Sequence, residues 1–278
     1  MNTNRMEDQI LNSLTIDQAY KQAIKKMRRE AINPETFRDI YHEGVDKDNT
    51  YVKAMEDKFK QDSTSEKEEV LKLATVFEGI IHENAELSDW LGQNAQTFKT
   101  SRFDDIANGV DTIVEFEESE TTASHLALAI DVTFSSDTER KLADIRDKIK
   151  KGELTKIKYF ASEHLGMRGE LAKVPRVIIG AESKTIKQLA ELWIEGDKKK
   201  ELGVHPIQFQ ILEEIVEQLE TFQNFAERNH QPELAAIFEK RLAFVSKILE
   251  EKRIMLDDNG ERDSVFEDIE RNLRTMFV

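Results

Sequence analysis

Three acidic residues have the types and spacing to form a metal site. Asp111 opens a short apolar segment, 110–116, and Asp131 lies twenty residues later in the apolar stretch HLALAIDVTF, 125–134. Glu78 lies at the edge of an apolar helical stripe that precedes both. Two carboxylates about 4 Å apart repel by roughly 4 kcal/mol at an effective dielectric near 20. Mg²⁺ or Mn²⁺ relieves such repulsion and lowers the pKa of a bound water, so these residues indicate metal-assisted hydrolysis.

The pattern around Asp131 predicts a β-strand with two unlike faces. Apolar residues recur at every second position, and the positions between them are small or polar. Because side chains alternate along a strand, Asp131 and Thr133 fall on the face of small residues, where another group can approach closely. The apolar face comprises Leu126, Leu128, Ile130, Val132 and Phe134. If segments 110–116 and 125–134 pair as antiparallel neighbours, Asp111 and Asp131 can lie on one side of the sheet.

The neighbouring segments supply the elements that position these residues. Segment 68–87 has apolar residues at helical spacing and predicts the helix that carries Glu78. A helix of mixed charge follows the strand of Asp131 and ends at Gly152. The further predicted elements are a strand at 154–160, a loop at 162–173, a strand at 174–181 and a helix at 183–196. This order indicates an α/β protein with a small mixed sheet of about four strands flanked by helices.

Helical segments on both sides of this centre divide the chain into three predicted parts. Residues 1–62 form an N-terminal helical extension, residues 63–200 the α/β core, and residues 201–278 a C-terminal helical hairpin region. The hairpin is predicted from two long apolar stripes joined near Pro232. The same stripes leave open a homodimer or a protein partner bound through the C-terminal helices.

The order of these motifs resembles the PD-(D/E)XK nuclease superfamily over roughly residues 65–195. The resemblance is carried by the helix with Glu78, by GVD at 109–111 and by the apolar strand that contains IDVT at 130–133. It implies a restriction-endonuclease-like core: a mixed sheet flanked by helices, with helical extensions outside the family core. It also implies a Mg²⁺- or Mn²⁺-dependent nuclease that hydrolyses phosphodiester bonds of nucleic acid, with DNA as the expected substrate.

The resemblance assigns a role to each acidic residue. Asp111 matches the first aspartate of the motif, and Asp131 matches the (D/E) position on the following strand. Glu78 matches the carboxylate of the preceding helix. Asp105, within FDDIANGVD, matches the extra upstream acid of one variant of the motif. These four residues are therefore the expected metal ligands.

The lysine position of the motif holds Thr133, whose hydroxyl hydrogen-bonds but carries no charge. In this superfamily a neighbouring element can supply the lysine. Lys158 is the expected substitute that activates the attacking water, with Lys156 on the same strand face in reserve, while Thr133 hydrogen-bonds a water or a phosphate. The first alternative is a catalytically inactive protein of the same fold that binds protein or nucleic acid. The second is a structural helical protein in which the acidic strand positions are salt-bridged.

Composition sets limits on these hypotheses. The net charge of -15 argues against a general nucleic-acid coat, although segment 139–158 carries eight basic and four acidic residues. That run is either a solvated helix face or a patch facing phosphate. The absence of cysteine excludes disulfides and thiolate metal sites. No apolar run approaches the roughly 18 residues of a membrane span, so we expect no membrane partner and a cytoplasmic location.

Overall fold

The computed structural model describes residues 2–131 and 136–278, with the side chains of residues 2–13, 129–131, 136, 137 and 197 outside that description. The helices are α1 (Asn2–Glu30), α2 (Arg38–Tyr41), α3 (Gly44–Gln61), α4 (Ser65–Leu87), α5 (Arg102–Asn108), α6 (Ser136–Lys150), α7 (Ser183–Ile194), α8 (Lys199–Gly203), α9 (Ile207–Arg228), α10 (Pro232–Met255) and α11 (Ser264–Met276). The strands are β1 (Ala95–Lys99), β2 (Thr112–Ser119), β3 (Thr122–Asp131), β4 (Thr155–Ser162), β5 (Met167–Val174) and β6 (Arg176–Gly180).

The main sheet is mixed and has the strand order β1-β2-β3-β6. Neighbouring strands among β1, β2 and β3 are antiparallel, and β6 runs parallel to β3. The register pairs Thr112 with Leu128 and Asp131 with Gly180. The start of β2 therefore lies at the same end of the sheet as the last residues of β3. Asp111 directly precedes β2 and lies at that end too. These observations confirm the mixed four-stranded sheet flanked by helices and the antiparallel pairing of the two acidic strands.

The membership of the sheet differs from the sequence prediction. Segment 154–160 forms part of a strand, but β4 pairs with β5 in a separate two-stranded sheet. The predicted loop at 162–173 was wrong, because β5 occupies its whole second half. Ile157 and Phe160 of β4 pack with Ile113 and Ala127 of the main sheet. The β4–β5 hairpin therefore covers one face of the main sheet. The fourth strand of that sheet is β1, and not the strand predicted at 154–160.

One hydrophobic core joins the three predicted parts of the chain. On the face opposite the hairpin, Val114 and Leu126 pack in the same cluster as Phe77 of α4. Ala23 of α1 and Phe222 of α9 belong to this cluster as well. The helices outside residues 63–200 are thus packed against the sheet. In the parts of the chain described here, no helix combines the length and the apolar character needed to cross a membrane.

Side chains of α9 cover the outer edge of β6. The backbone N–H of Ile178 donates to Gln218 Oε1 at 2.8 Å, and Gln218 Nε2 donates to the carbonyl of Ile178 at 2.6 Å. The N–H of Gly180 donates to Glu214 Oε2 at 2.9 Å. Burial raises the pKa of Glu214 well above its ordinary value. An uncovered strand edge is a template for pairing with another chain, so α9 fixes β6 as the last strand of the sheet.

Candidate active site

Lys99 lies among carboxylates that come from different elements. Its Nζ is 2.8 Å from Glu78 Oε1 on α4 and 3.9 Å from Asp105 Oδ2 on α5. The same ammonium donates to the backbone carbonyl of Asp111 at 3.1 Å, and Thr112 Oγ1 donates to Glu78 Oε1 at 3.4 Å. We call Glu78, Lys99, Asp105 and Asp111 the Lys99 cluster. The structure thus brings together three of the four acids that the sequence singled out.

A short capped helix positions Asp105. Ser101 is the N-cap of α5, and its hydroxyl oxygen accepts from the N–H of Asp104 at 3.1 Å. The helix ends at Asn108, and the next residue, Gly109, has a φ of +63° that suits a residue without a side chain. Asp111 follows two residues after the glycine, and its N–H donates to the carbonyl of Leu128 at 3.0 Å.

A buried arginine fastens the turn that leads to Asp111. Arg176 Nη1 donates to the carbonyl of Asn108 at 2.8 Å, and its Nη2 donates to Asp144 Oδ2 on α6 at 2.7 Å. Only 5% of Arg176 is exposed. Because one guanidinium bonds to both segments, the turn at 108–109 is held against α6, and the start of β2 is fixed relative to β6.

The charges of the cluster are unbalanced. Burial raises the pKa of Glu78 to about 7; Lys99 lowers it, and the charges of Asp111 and Asp105 raise it. Burial and the charge of Asp111 also raise the pKa of Asp105. For Lys99, burial lowers the pKa, but the attraction of the three carboxylates outweighs it and leaves the pKa raised. Arg102 adds a second cation, since its Nη1 lies 2.6 Å from Asp105 Oδ2. When all three carboxylates are ionised they face two cations, so the cluster retains negative charge and favours a further cation.

The raised pKa of Glu78 makes stability depend on pH. In the unfolded chain this carboxyl ionises near its ordinary value of 4.5, whereas in the folded protein it stays protonated up to about 7. Its contribution to stability is complete below pH 4.5 and is lost as the pH rises through 7. We expect wild type to lose about 3 kcal/mol more than Glu78→Gln between pH 4.5 and 8 in EDTA. Urea unfolding checks this, and equal losses in the two proteins would contradict it.

For Asp131 the structure describes the backbone only, and for Thr133 it describes nothing. Continuing the β2–β3 register by one position places Asp111 opposite Ala129, so the Asp131 backbone lies two residues, about 7 Å, further along β3. Asp131 is the last residue of β3, and its side chain lies outside the described part of the chain. Thr133 lies outside the described residues altogether. The backbone of Asp131 therefore lies at the same end of the sheet as the Lys99 cluster.

The structure places Lys158 and Lys156 outside the Lys99 cluster. Lys158 Nζ lies 2.5 Å from Asp48 Oδ2 on α3 and 5.1 Å from the ring centroid of Tyr41. Lys156 Nζ lies 3.7 Å from Glu170 on β5, and its side chain is 66% exposed. The prediction that Lys158 supplies the lysine of the site is therefore corrected. Lys158 connects β4 to α3 through Asp48. The lysine that lies beside the carboxylates is Lys99.

Lys99 was not among the predicted site residues, because β1 was not recognised as a strand. AQTFK is short, and its only apolar residues, Ala95 and Phe98, fall on opposite faces of the strand. A usable signal lies just beyond it. Ser101, followed three residues later by Asp104, marks a helix start, and a residue that directly precedes such a helix lies close to its first turn. That signal places Lys99 near Asp105.

The donor set of the cluster suits a hard cation. Carboxylate oxygens are the ligands that Mg²⁺ and Mn²⁺ prefer, and Glu78, Asp105 and Asp111 supply them. Within residues 2–131 and 136–278, no three or more His, Cys, Asp or Glu side chains are already arranged to hold a metal ion. The Asp131 carboxylate is not among the side chains searched. The three acids therefore fit such a cation in chemical type.

Comparison with known proteins gave no match: no protein family, no curated protein and no solved structure resembles the chain closely enough to count as one.

Proposed function

We propose that the protein is a metal-dependent nuclease with a restriction-endonuclease-like core. The observation that carries the proposal is the convergence of Glu78, Asp105 and Asp111 on Lys99 at the edge of the sheet where β3 ends. Burial and neighbouring negative charge raise the pKa values of Glu78 and Asp105, and such shifts are typical of functional sites. The motif order resembles that of PD-(D/E)XK nucleases, and Lys99 takes the place of their lysine.

In this proposal Asp111 and Asp131 hold Mg²⁺ or Mn²⁺, with Asp105 and Glu78 assisting. The metal, when bound, supplies Lewis-acid stabilisation of the phosphate charge and a bound water of lowered pKa. Burial raises the pKa of Glu78 to about 7 in the metal-free protein. Its carboxylate, deprotonated when the metal binds, would accept the proton of the attacking water. The water oxygen forms a bond to phosphorus as the phosphorus–oxygen bond to the sugar breaks, and the leaving oxygen takes a proton from solvent. Lys99 keeps its charge and attracts the phosphate.

The test is cleavage of DNA by the purified protein. We expect nicking of a supercoiled plasmid with Mg²⁺ or Mn²⁺ and none in EDTA, because the carboxylates need the cation to bind the phosphate. Asp131→Ala is expected to abolish the nicking. Cleavage that persists unchanged in that variant would refute the assignment, and a parallel assay with single-stranded RNA establishes which nucleic acid is cut.

One observation favours a second candidate, an inactive protein of the same fold. Lys99 Nζ lies 2.8 Å from Glu78 Oε1, so an internal cation already neutralises part of the cluster. A binding module of this kind has an exposed apolar surface at the end of α10, where Ile254 is 85% and Met255 71% exposed. Calorimetry separates the two candidates, because the inactive form does not need to bind a divalent metal at Asp111 and Asp131.

A further inference from the structure

We propose that one face of α1 binds the phosphate backbone of nucleic acid and leads it to the Lys99 cluster. This face carries the exposed cations Lys21, Lys25, Arg28 and Arg29. Tyr20 and Ile24 lie among them on the same open surface of the helix. The inference rests on the proposed function for the identity of the partner, but the binding itself requires no cleavage.

The cations form one stripe because of their helical spacing. Lys21, Lys25 and Arg28 are four and three residues apart, which places them on the same side of the helix. Ala19 and Ala23 are fully buried on the other side, in the hydrophobic core. At 1.5 Å per residue the stripe from Lys21 to Arg28 is about 10 Å long. It is therefore long enough to contact more than one phosphate of a nucleic-acid strand.

Neighbouring acids leave much of this charge uncompensated. Asp17 forms an ion pair with Lys72, and Glu30 lies 3.1 Å from Arg29 Nη2, 3.3 Å from Lys26 Nζ and 2.7 Å from His82 Nε2. Arg29 is therefore partly compensated. Within the ranges that the structure describes, Lys25 and Arg28 form no ion pair. In a protein with a net charge of -15, such a basic surface is complementary to a polyanion.

The segment after α1 connects this face to the site. The N–H of Ile32 donates to the backbone carbonyl of Lys99 at 3.1 Å. Glu30, the last residue of α1, pairs with His82, which lies one helical turn after Glu78 on α4. The carboxyl end of α1, with Arg28 and Arg29, therefore lies next to the elements that carry the Lys99 cluster.

An aromatic ring on this face of α1 supports nucleic acid over other polyanions. Tyr20 is half-buried among the cations, and Lys72 Nζ lies 5.8 Å from its ring centroid. Aromatic rings beside cations stack on unpaired bases in proteins that bind single strands. The basic run on α6 differs, because Lys148 lies 3.0 Å from Asp144 and Arg146 lies 2.9 Å from Asp147 within the same helix. We therefore assign phosphate binding to α1 rather than to α6.

The experiment measures binding without cleavage. A fluorescein-labelled DNA single strand of about 20 nucleotides is titrated with the protein in EDTA, and its anisotropy is recorded at several salt concentrations. We expect Lys25→Glu/Arg28→Glu to raise the Kd at least about tenfold and to reduce the slope of log K against log salt by about 1.4, since each phosphate contact with a single strand contributes about 0.7. The matched control is Lys247→Glu/Arg271→Glu, which removes exposed cations of α10 and α11.

The outcomes separate this inference from the nuclease proposal. Equal weakening by the α1 and control variants, or no effect of the α1 variant, overturns the inference even if Mg²⁺-dependent cleavage is found. Binding that depends on α1 without any cleavage supports the inference and refutes the nuclease. Vesicles of anionic phospholipid are the comparison ligand: if they bind through α1 and the DNA does not, the partner is a membrane surface and the inference fails.

Discussion

Asp111→Asn is expected to reduce Mg²⁺-dependent cleavage more than about 100-fold and to leave the fold intact. Loss of an outer-shell partner alone costs a metal site about 10- to 100-fold in affinity or activity, and Asp111 is proposed as a direct ligand. Asparagine keeps the shape of the side chain and removes its charge. The N–H and carbonyl of Asp111, which bond to Leu128 and Lys99, belong to the backbone and remain in place.

The same variant has a second readout in the pH profile. The charge of Asp111 is one cause of the raised pKa values of Glu78 and Asp105. Its removal is expected to lower the pKa of Glu78 below 7 and to shift the acidic limb of any residual activity to lower pH. The matched control is Asp39→Asn, an exposed aspartate on α2 that pairs with Arg168. If Asp111→Asn keeps its activity within about threefold of wild type, Asp111 is not a metal ligand.

Lys99→Met is expected to lower the free energy of unfolding by about 3 to 5 kcal/mol at pH 7 in EDTA. Removing one partner of a buried ion pair leaves the other charge uncompensated, and here the lysine serves Glu78 and Asp105. Its side chain is 12% exposed, so solvent replaces little of the lost interaction. Urea unfolding measures the change. Lys156→Met, at an exposed position, is the control and is expected to change stability by less than about 0.5 kcal/mol.

A double variant tests whether this loss comes from the unpaired carboxylates. Lys99→Met/Glu78→Gln removes one buried charge of each sign, so we expect it to be more stable than Lys99→Met alone, with a coupling energy of about 0.5 to 3 kcal/mol. Mg²⁺ is expected to stabilise Lys99→Met more than wild type, because the metal replaces the missing positive charge. A Lys99→Met protein as stable as wild type would mean that the carboxylates are not coupled through this lysine.

The amphipathic patterns predicted much of the fold. Alternation in 125–134 gave the two faces of β3 correctly where side chains are described, since Leu126 and Leu128 join the main core and Ala127 faces the β4–β5 hairpin. The helical stripes gave α4, α9 and α10. The convergence of Glu78 with Asp111 followed from the order of their elements. These features are local or involve neighbouring segments, which a periodic pattern can specify.

The features that were missed depend on distant contacts or short segments. A strand of the main sheet and a strand packed on its face both need one apolar side. The apolar pattern of β4 therefore did not reveal that it pairs with β5 in a separate sheet. Gly166 and Gly169 are residues typical of loops, so the start of β5 between them was not predicted as a strand. Lys158 has the right residue type for the site, but Asp48, more than a hundred residues away in sequence, holds its ammonium. Such pairings are set by tertiary packing and leave no periodic signal.

Titration calorimetry with Mn²⁺ measures whether the Lys99 cluster binds a metal ion. Wild type is expected to bind Mn²⁺ and to release protons on binding at pH 6.5, because Glu78 is largely protonated below its pKa of about 7. Asp111→Asn and Asp131→Asn are expected to lose this binding, while Asp39→Asn keeps it. Absence of binding to wild type, or equal binding by wild type and Asp111→Asn, would mean that the Lys99 cluster is a structural ion-pair network and not a metal site.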